Sequence, residues 1–361
     1  LEYLDWRGDL TLSERPFNEV DNLILAEICY LDFSGFVPAG FQTQQVTLLD
    51  AASAYFAAHP ETNMGVLVPD QIPVLVEHAA KTARFSDVRL LGYVNRIDEE
   101  TQTQFSALTM LLPDGSAYVA FRGTDDTLVG WKENFNMGFM DSVPAQLLAA
   151  RYTEAAARAI RGKIRIGGHS KGGNLAVYAA ANCRPDVSAR LARVFSHDGP
   201  GFLEQALQSE AFREVLPKIE KTLPQSSMIG MLLEHQENYK IVKSSSISIW
   251  QHNPFSWEIN GDDFSYRSEL TGDARYLNAT LNQWIRAMSA EERAQLVDTI
   301  YGLIDLDNIA TFAQLRAEWQ TSFPEIFRSF SGLSPQNKAF LLQMLKELAS
   351  MGIKNFPELF E

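Results

Sequence analysis

The chain has 361 residues, of which 46% are hydrophobic and 21% charged, proportions typical of a globular protein and unlike those of a disordered one. Its 31 Lys and Arg residues against 45 Asp and Glu give a net charge of −14. A surface this negative repels phosphate groups, so we expect no nucleic-acid partner and no stable membrane insertion.

Cysteine usage and the chain's first residues point to a compartment. Only Cys29 and Cys183 are present, which is typical of a reducing environment. The first five residues are acidic and apolar, whereas a secretory signal is basic and then apolar. No stretch approaches the roughly 18 apolar residues of a membrane span. We therefore expect a cytoplasmic protein.

The first 88 residues are predicted to be mainly helical. Apolar residues at helical spacing predict helices over 17–31, 46–58 and 74–85, and the apolar face of the first is interrupted by Glu27. Strands then alternate with helices, which favours a parallel α/β sheet. The predicted order is strands 89–97, 104–112 and 117–121, helix 144–160, strand 164–167, helix 173–182, strand 193–196, helix 202–221, and strand-like runs 239–244 and 247–250.

Beyond residue 262 no further strand is predicted. A capping box at 289–292 begins one helix, and Ser334-Pro335 begins another as N-cap and first helical residue. At roughly 150 residues per domain, the length suggests one large domain with an appendage. We therefore divide the chain into an α/β domain over 1–262 and a helical C-terminal extension over 263–361.

The segment 164–176 carries the most informative motif. Residues 168–172 read Gly-His-Ser-Lys-Gly, a G-x-S-x-G pattern that directly follows a predicted strand and precedes an Ala-rich helix. A sharp turn from strand to helix strains the central residue and leaves little room for side chains on either side of it. Ser170 is therefore predicted to be a nucleophile. A glycine-rich turn used only for close packing is the alternative.

A serine nucleophile needs two donors for the oxyanion that develops during acyl transfer. The backbone N–H of Lys171 is the first. The second is expected after the buried strand that ends at Phe121, where Thr124 offers both its N–H and its hydroxyl. The alternative for this segment is a turn in which Arg122 pairs with one of the aspartates that follow.

These motifs resemble a known family. Phe-Arg-Gly-Thr at 121–124, Trp131 and the Gly-His-Ser motif resemble class 3 lipases of the α/β-hydrolase fold, and GHSKGGNLA at 168–176, DGPGF at 198–202 and QHNP at 251–254 are similar to a bacterial lipase-like branch of that group. The resemblance implies an α/β-hydrolase-like fold, with a mostly parallel central sheet flanked by helices and a C-terminal helical appendage. It also implies an oxyanion donor at Thr124 and a lid or its hinge over 125–140.

The base is predicted to be His252. In this fold the triad runs in the order Ser, acid, His, and His252 follows the last strand-like runs, in the loop where the lipases carry their histidine. His197 is the fallback, and His235 is the third histidine after the motif. Alternation directs His169 away from Ser170, which favours packing or a supporting role.

The acid is predicted to be Asp198. It follows the strand next to that of the nucleophile, at the edge where open α/β sheets place functional groups. Class 3 lipases usually take the acid from the following strand, whose counterpart at 226–229 has no carboxylate. Glu234 is the alternative acid, and a structural turn role for Asp198 has equal weight.

These residues together predict a serine hydrolase, an esterase or lipase-like enzyme with a small-molecule acyl substrate. Trp131 and Met228 belong to two apolar segments that could line an acyl pocket, although such segments are more often core. A binding or scaffold protein on an inactive hydrolase fold is one alternative, and a peptidase or acyltransferase with the same triad is another. No metal or cofactor is implied, because no His, Cys or Asp cluster has ligand spacing.

Overall fold

The computed structural model describes residues 1–41, 45–234, 238–304, 311, 314 and 329–356. The strands are β1 (Val46–Thr47), β2 (Arg89–Asp98), β3 (Thr103–Leu111), β4 (Ala117–Phe121), β5 (Ile164–His169), β6 (Leu191–His197), β7 (Ile219–Pro224), β8 (Tyr239–Val242), β9 (Ile259–Asn260), β10 (Asp263–Phe264) and β11 (Tyr266–Arg267).

The described helices cover both faces of the sheet and form the C-terminal part. They are α1 (Glu2–Arg7), α2 (Glu19–Ile28), α3 (Leu48–Ala58), α4 (Ile72–Ala80), α5 (Leu128–Asn136), α6 (Pro144–Ala159), α7 (Lys171–Asn182), α8 (Pro185–Ser188), α9 (Glu204–Leu207), α10 (Glu210–Val215), α11 (Gly272–Ala287), α12 (Ala290–Ile304) and α13 (Pro335–Asn355). No helix within these ranges is long and apolar enough to cross a membrane.

The central sheet has nine strands in the order β1-β2-β3-β4-β5-β6-β7-β8-β11. Strands β4 to β8 are parallel, whereas β1 to β3 and β11 are antiparallel to their neighbours. The predicted α/β-hydrolase-like fold is confirmed. Its parallel centre places the carboxyl ends of five strands along one edge, where ligand sites of open α/β sheets lie.

Alternation along the central strands divides the core into two layers. Tyr118 and Ala120 of β4 pack with α1 to α4 on one face. Val119 and Phe121 pack with α6, α7 and α10 on the other. Every residue of β4 is buried, which confirms a strand covered on both faces. The N-terminal helices predicted over 1–88 therefore form one layer against the central sheet.

Three local predictions are wrong. A single helix over 202–221 is replaced by α9, α10, a short 3-10 helix and β7, because Ser209 caps a new helix and Pro217 lacks the N–H that a continuing helix needs. The strand-like run 247–250 instead enters a 3-10 helix, Ser248–His252, in which Ser248 has a φ of 50°. Strands also continue beyond residue 262, since β11 joins the main sheet.

The described C-terminal helices pack around a small apolar cluster of their own. Met288, Leu296, Leu341 and Met344 are its buried members. The predicted cap at Ser334 is present, since its side chain accepts from the N–H of Asn337. Helix α12 also contacts α5, where the Nζ of Lys132 lies 3.1 Å from a carboxylate oxygen of Asp298.

Candidate active site

Ser170 occupies a strained turn between β5 and α7. Its φ of 57° and ψ of −133° lie in a region that L-residues rarely adopt and that marks functional turns. The turn requires glycine on both sides, because a Cβ would lie 2.4 Å from the carbonyl oxygen of Phe121 at Gly168 and 2.0 Å from it at Gly172. These clashes explain the spacing of the motif.

The predicted site residues converge on one edge of the sheet. Ser170 follows β5 and Asp198 follows β6, and the last residues of these strands are paired in register. The backbone N–H of Ser170 donates to the carbonyl of His197 at 2.9 Å. Thr124 comes soon after β4, the neighbour of β5 on the other side.

Asp198 and His252 are in direct contact. Nδ1 of His252 lies 2.6 Å from Oδ2 of Asp198, and the carboxylate is completely buried. The other oxygen, Oδ1, accepts from the Ser227 hydroxyl at 2.5 Å and from the Gly230 N–H at 3.1 Å. Because Nδ1 of His252 is committed to Asp198, Nε2 is the ring nitrogen left to exchange a proton.

The loop after β7 contacts the carboxylate of Asp198. Its residues 226–229 carry no carboxylate, but Ser227 and Gly230 donate to the carboxylate of Asp198, which follows β6. The space is shaped for that contact, since a Cβ at Gly230 would lie 2.3 Å from Oδ1 of Asp198. The sequence contained this loop, but nothing in it indicated that it would serve as a hydrogen-bond donor.

The other candidates for acid and base lie in different surroundings. The Glu234 carboxylate is bound by Arg286 of α11, with Nη2 2.7 Å from Oε2. His197 is fully buried, and burial lowers its pKa to about 3. Neither of its ring nitrogens has a hydrogen-bond partner in the described part of the chain. His235 lies outside the described residues.

At the predicted oxyanion site, the candidate donors and the alternative ion pair of Arg122 are both present. The Lys171 N–H belongs to the first turn of α7, where backbone donors have no partner within the helix. The Thr124 hydroxyl accepts from the side-chain amide of Asn134 in α5. Arg122 also forms the ion pair of the alternative reading, 3.0 Å from Asp125.

The side chain of Lys171 makes a buried contact that the sequence did not predict. Its Nζ lies 2.9 Å from Oε2 of Glu133, and both side chains are inaccessible to solvent. Nζ also donates to the backbone oxygen of Gln104 at 2.7 Å. Burial lowers the pKa of Lys171, and the neighbouring carboxylate opposes that shift. Helix α5 is thereby joined to the residue after Ser170.

The predicted substrate-lining residues are only half-buried. Trp131 packs on Phe135 with ring centroids 5.8 Å apart. Met228 has its sulfur 4.0 Å from the Ser248 hydroxyl. The turn that begins there also carries Ile247 and Trp250, which are 75% and 70% exposed. Their position directly before His252 was visible in the sequence, but their exposure was not.

Metal ligands do not converge in the described ranges. No group of three or more His, Cys, Asp or Glu side chains is arranged there to hold an ion. The two cysteines are buried free thiols.

The sheet order and the strained serine after β5 define the class, a protein of the α/β-hydrolase fold. The chain belongs to the Mbeg1-like family, which it matches over residues 79–302. Among solved structures it is similar to the crystal structure of M37 lipase, with 12% identity, coverage of 60% of this chain and 70% of that chain, and a TM-score of 0.37. No curated protein matches it in sequence.

Proposed function

We propose that this protein is a serine hydrolase that cleaves an acyl ester, with Ser170 as nucleophile, His252 as base and Asp198 as acid. The observation that carries the proposal is the 2.6 Å contact between Asp198 and His252. It lies at the sheet edge where Ser170 holds a φ of 57°. A carboxylate on Nδ1 is the arrangement that prepares a histidine to accept a proton from serine.

The reaction is acyl transfer in two halves. The Ser170 oxygen adds to the carbonyl carbon while its proton passes to Nε2 of His252, and the carbonyl oxygen becomes an oxyanion. The N–H of Lys171 and a donor from Thr124 stabilise that charge. The C–O bond of the leaving alcohol then breaks as His252 returns the proton. Water, activated by the same histidine, releases the acid and restores Ser170.

Exposed apolar side chains favour an apolar acyl substrate. Ile247 and Trp250 stand on the turn that carries His252, and Phe135 is exposed on α5. We place Trp131 and Met228 at the rim of the acyl site. The net charge of −14 opposes adsorption to anionic lipid, so a small-molecule ester in a reducing, cytoplasmic setting is the proposed substrate.

The scaffold alternative loses the observation that favoured it. That observation was the absence of a carboxylate at 226–229, and Asp198, which follows the neighbouring strand, contacts His252 instead. A peptidase or acyltransferase would use the same residues, and the leaving group or acceptor distinguishes them. Parallel assays with an ester, an amide and an added alcohol acceptor separate these reactions.

The nucleophile is tested by covalent labelling. A fluorophosphonate probe should label Ser170, and short-chain p-nitrophenyl esters should be hydrolysed. Ser170→Ala should abolish both, whereas Ser53→Ala, an exposed serine in α3, should leave both intact. Turnover that persists in Ser170→Ala would falsify the assignment.

The acid is tested with a matched pair of variants. Asp198→Asn should lower kcat by about 10³-fold or more, because the amide favours the wrong tautomer of His252. Glu234→Gln should retain activity, since that carboxylate is engaged by Arg286. Equal losses in the two variants would remove Asp198 from the proposed triad.

A further inference from the structure

A buried polar cluster lies beneath the nucleophile turn, on the side of α2. Glu27 and His169 are 2% and 4% exposed, and Oε1 of Glu27 lies 3.3 Å from Nδ1 of His169. The hydroxyl of Tyr30 is also 3.3 Å from that nitrogen. Neither oxygen of Glu27 accepts a hydrogen bond from the described residues. A carboxyl group left in this condition is costly for folding, so a role at the site must be considered.

The second nitrogen of His169 reaches the turn of the proposed base. Nε2 of His169 lies 2.9 Å from the backbone oxygen of His252, and the two rings are 4.6 Å apart between centroids. A carbonyl only accepts hydrogen bonds, so Nε2 must carry the hydrogen. Burial, together with His252 and His197, lowers the pKa of His169. In the neutral ring, Nδ1 is then an acceptor that requires a donor from Tyr30 or Glu27.

We infer that Glu27 and His169 are positioning residues, which hold the His252 turn against the strand that carries Ser170. Glu27 acts on Nδ1 of His169, and His169 holds the backbone oxygen of His252. The inference rests on the proposed function, because it assigns these residues to the geometry of the proposed Ser170 and His252 pair.

Other hydrogen bonds hold the turn that carries His252 from other sides. The side chain of Gln251 accepts from the N–H of Ser226 at 2.9 Å. Nε1 of Trp257 donates to the backbone oxygen of Gln251 at 2.8 Å. Asp198 holds the His252 ring. The bond from His169 is made by the residue adjacent to Ser170, so it ties the strand that carries Ser170 to the His252 turn.

The charge of Glu27 determines which ring nitrogen of His169 carries the hydrogen. Burial raises the pKa of Glu27 to about 8. Below that pH its O–H can donate to Nδ1 of His169, which keeps the hydrogen on Nε2. Above it, the carboxylate draws the hydrogen to Nδ1, and a bare Nε2 then faces the His252 carbonyl. The link between nucleophile and base should therefore weaken in alkaline solution.

The groups around Glu27 keep their charge states over that range. Burial raises the pKa of the thiol and of the phenols that interact electrostatically with Glu27, and it lowers the pKa of the imidazole in contact with it. These groups are Cys29, Tyr30, Tyr118 and His169. Of this cluster, Glu27 is the member that changes charge near pH 8.

The role of His169 is tested by steady-state kinetics. His169→Leu removes the donor to His252 and should lower kcat by about 10- to 100-fold, with KM changed by less than about twofold, because a small displacement of the base affects the chemical step. His169→Gln, whose amide can donate to the same carbonyl, should restore part of kcat. A change confined to KM, or no rescue by Gln, would overturn the assignment.

The role of Glu27 is tested with an isosteric variant and a control on the same helix. The wild-type kcat should decline above about pH 8, and Glu27→Gln should lose that decline, because an amide does not ionise. Burial and the nearby Glu220 raise the pKa of Glu19 to about 7, but its carboxylate bonds to Lys240, so Glu19→Gln should retain the decline. An unchanged alkaline limb in Glu27→Gln would contradict the inference.

A readout without turnover separates this inference from the proposed function. In protein labelled with ¹⁵N-histidine, the ring signals of His252, assigned with His252→Gln, should shift in His169→Leu. As pH rises through about 8, these signals should also change in the wild type and in Glu19→Gln, and that change should be absent in Glu27→Gln. If the probe fails to label Ser170, the proposed function fails while these signals still report the link. His252 signals unchanged in His169→Leu, together with the wild-type pH dependence retained in Glu27→Gln, would overturn the inference even in an active enzyme.

Discussion

The residues directly before and after Ser170 each meet a buried carboxyl group, but on opposite sides and in opposite conditions. Lys171 and Glu133 form an ion pair in which Oε1 of the carboxylate accepts from Ala145 N–H at 2.9 Å and Oε2 from Gln104 N–H at 3.0 Å. His169 and Glu27 approach to 3.3 Å without such support. A satisfied buried pair is a structural clamp, whereas an unsatisfied carboxyl stays neutral and responds to pH.

The largest effect is expected where the clamp is broken. Lys171→Met leaves the Glu133 charge buried and unpaired, which should reduce the free energy of unfolding by about 3–5 kcal/mol. Glu133→Gln should cost a similar amount, because it strands the Lys171 ammonium. Urea denaturation followed by circular dichroism measures both.

A surface pair provides the control for this loss. Lys81 and Glu77 lie 2.6 Å apart with both side chains largely exposed, so Lys81→Met should change stability by less than about 0.5 kcal/mol. If Lys171→Met were as mild as Lys81→Met, the two sides of Ser170 would not differ in the way described.

Glu27→Gln is expected to have the opposite effect, an increase in the free energy of unfolding at neutral pH. The pKa of Glu27 is raised to about 8 in the folded protein and is about 4.3 when unfolded, so the folded state binds the proton more tightly. The contribution of this group to the free energy of unfolding is fully present below about pH 4, and it is lost progressively as pH rises toward 8. From about pH 5.5 to 7.5, the wild type should lose about 2–3 kcal/mol relative to Glu27→Gln.

Unfolding free energies at several pH values measure this difference. Glu77→Gln, an exposed carboxyl on α4, should follow the wild type at every pH. Parallel curves for wild type and Glu27→Gln would show that Glu27 is ionised in the folded protein and would end its contrast with Glu133.

The local features of the site could be predicted from the sequence, whereas its tertiary contacts could not. The turn at Ser170 and the edge position of Asp198 follow from local rules, since a strand that leads into a helix within a glycine motif allows few conformations. The prediction of a helix over 202–221 was wrong because β7 is defined by its pairing between β6 and β8. Such tertiary contacts override local propensity.

The two buried carboxyl groups gave different signals in the sequence. Glu27 interrupted an otherwise apolar helix face, a signal that it would be buried, but its partner is distant in the chain and pairing is a tertiary property. Glu133 lies within the segment 125–140, for which the resemblance implies a lid or its hinge. In the structure its ion pair with Lys171 fixes α5 to the Ser170 turn, which argues that any moving lid excludes this helix.

The smallest effect is expected at Tyr30, which shares Nδ1 of His169 with Glu27. Its hydroxyl bond to that nitrogen is long, at 3.3 Å, and a net hydrogen bond contributes about 0.5–1.5 kcal/mol. Tyr30→Phe should therefore lower the free energy of unfolding by about 1 kcal/mol and keep the alkaline decline of kcat, because Glu27 remains to supply or withhold the proton. Thermal denaturation and a pH profile measure the two quantities. A Tyr30→Phe profile that lacks the decline would transfer the role of proton donor from Glu27 to Tyr30.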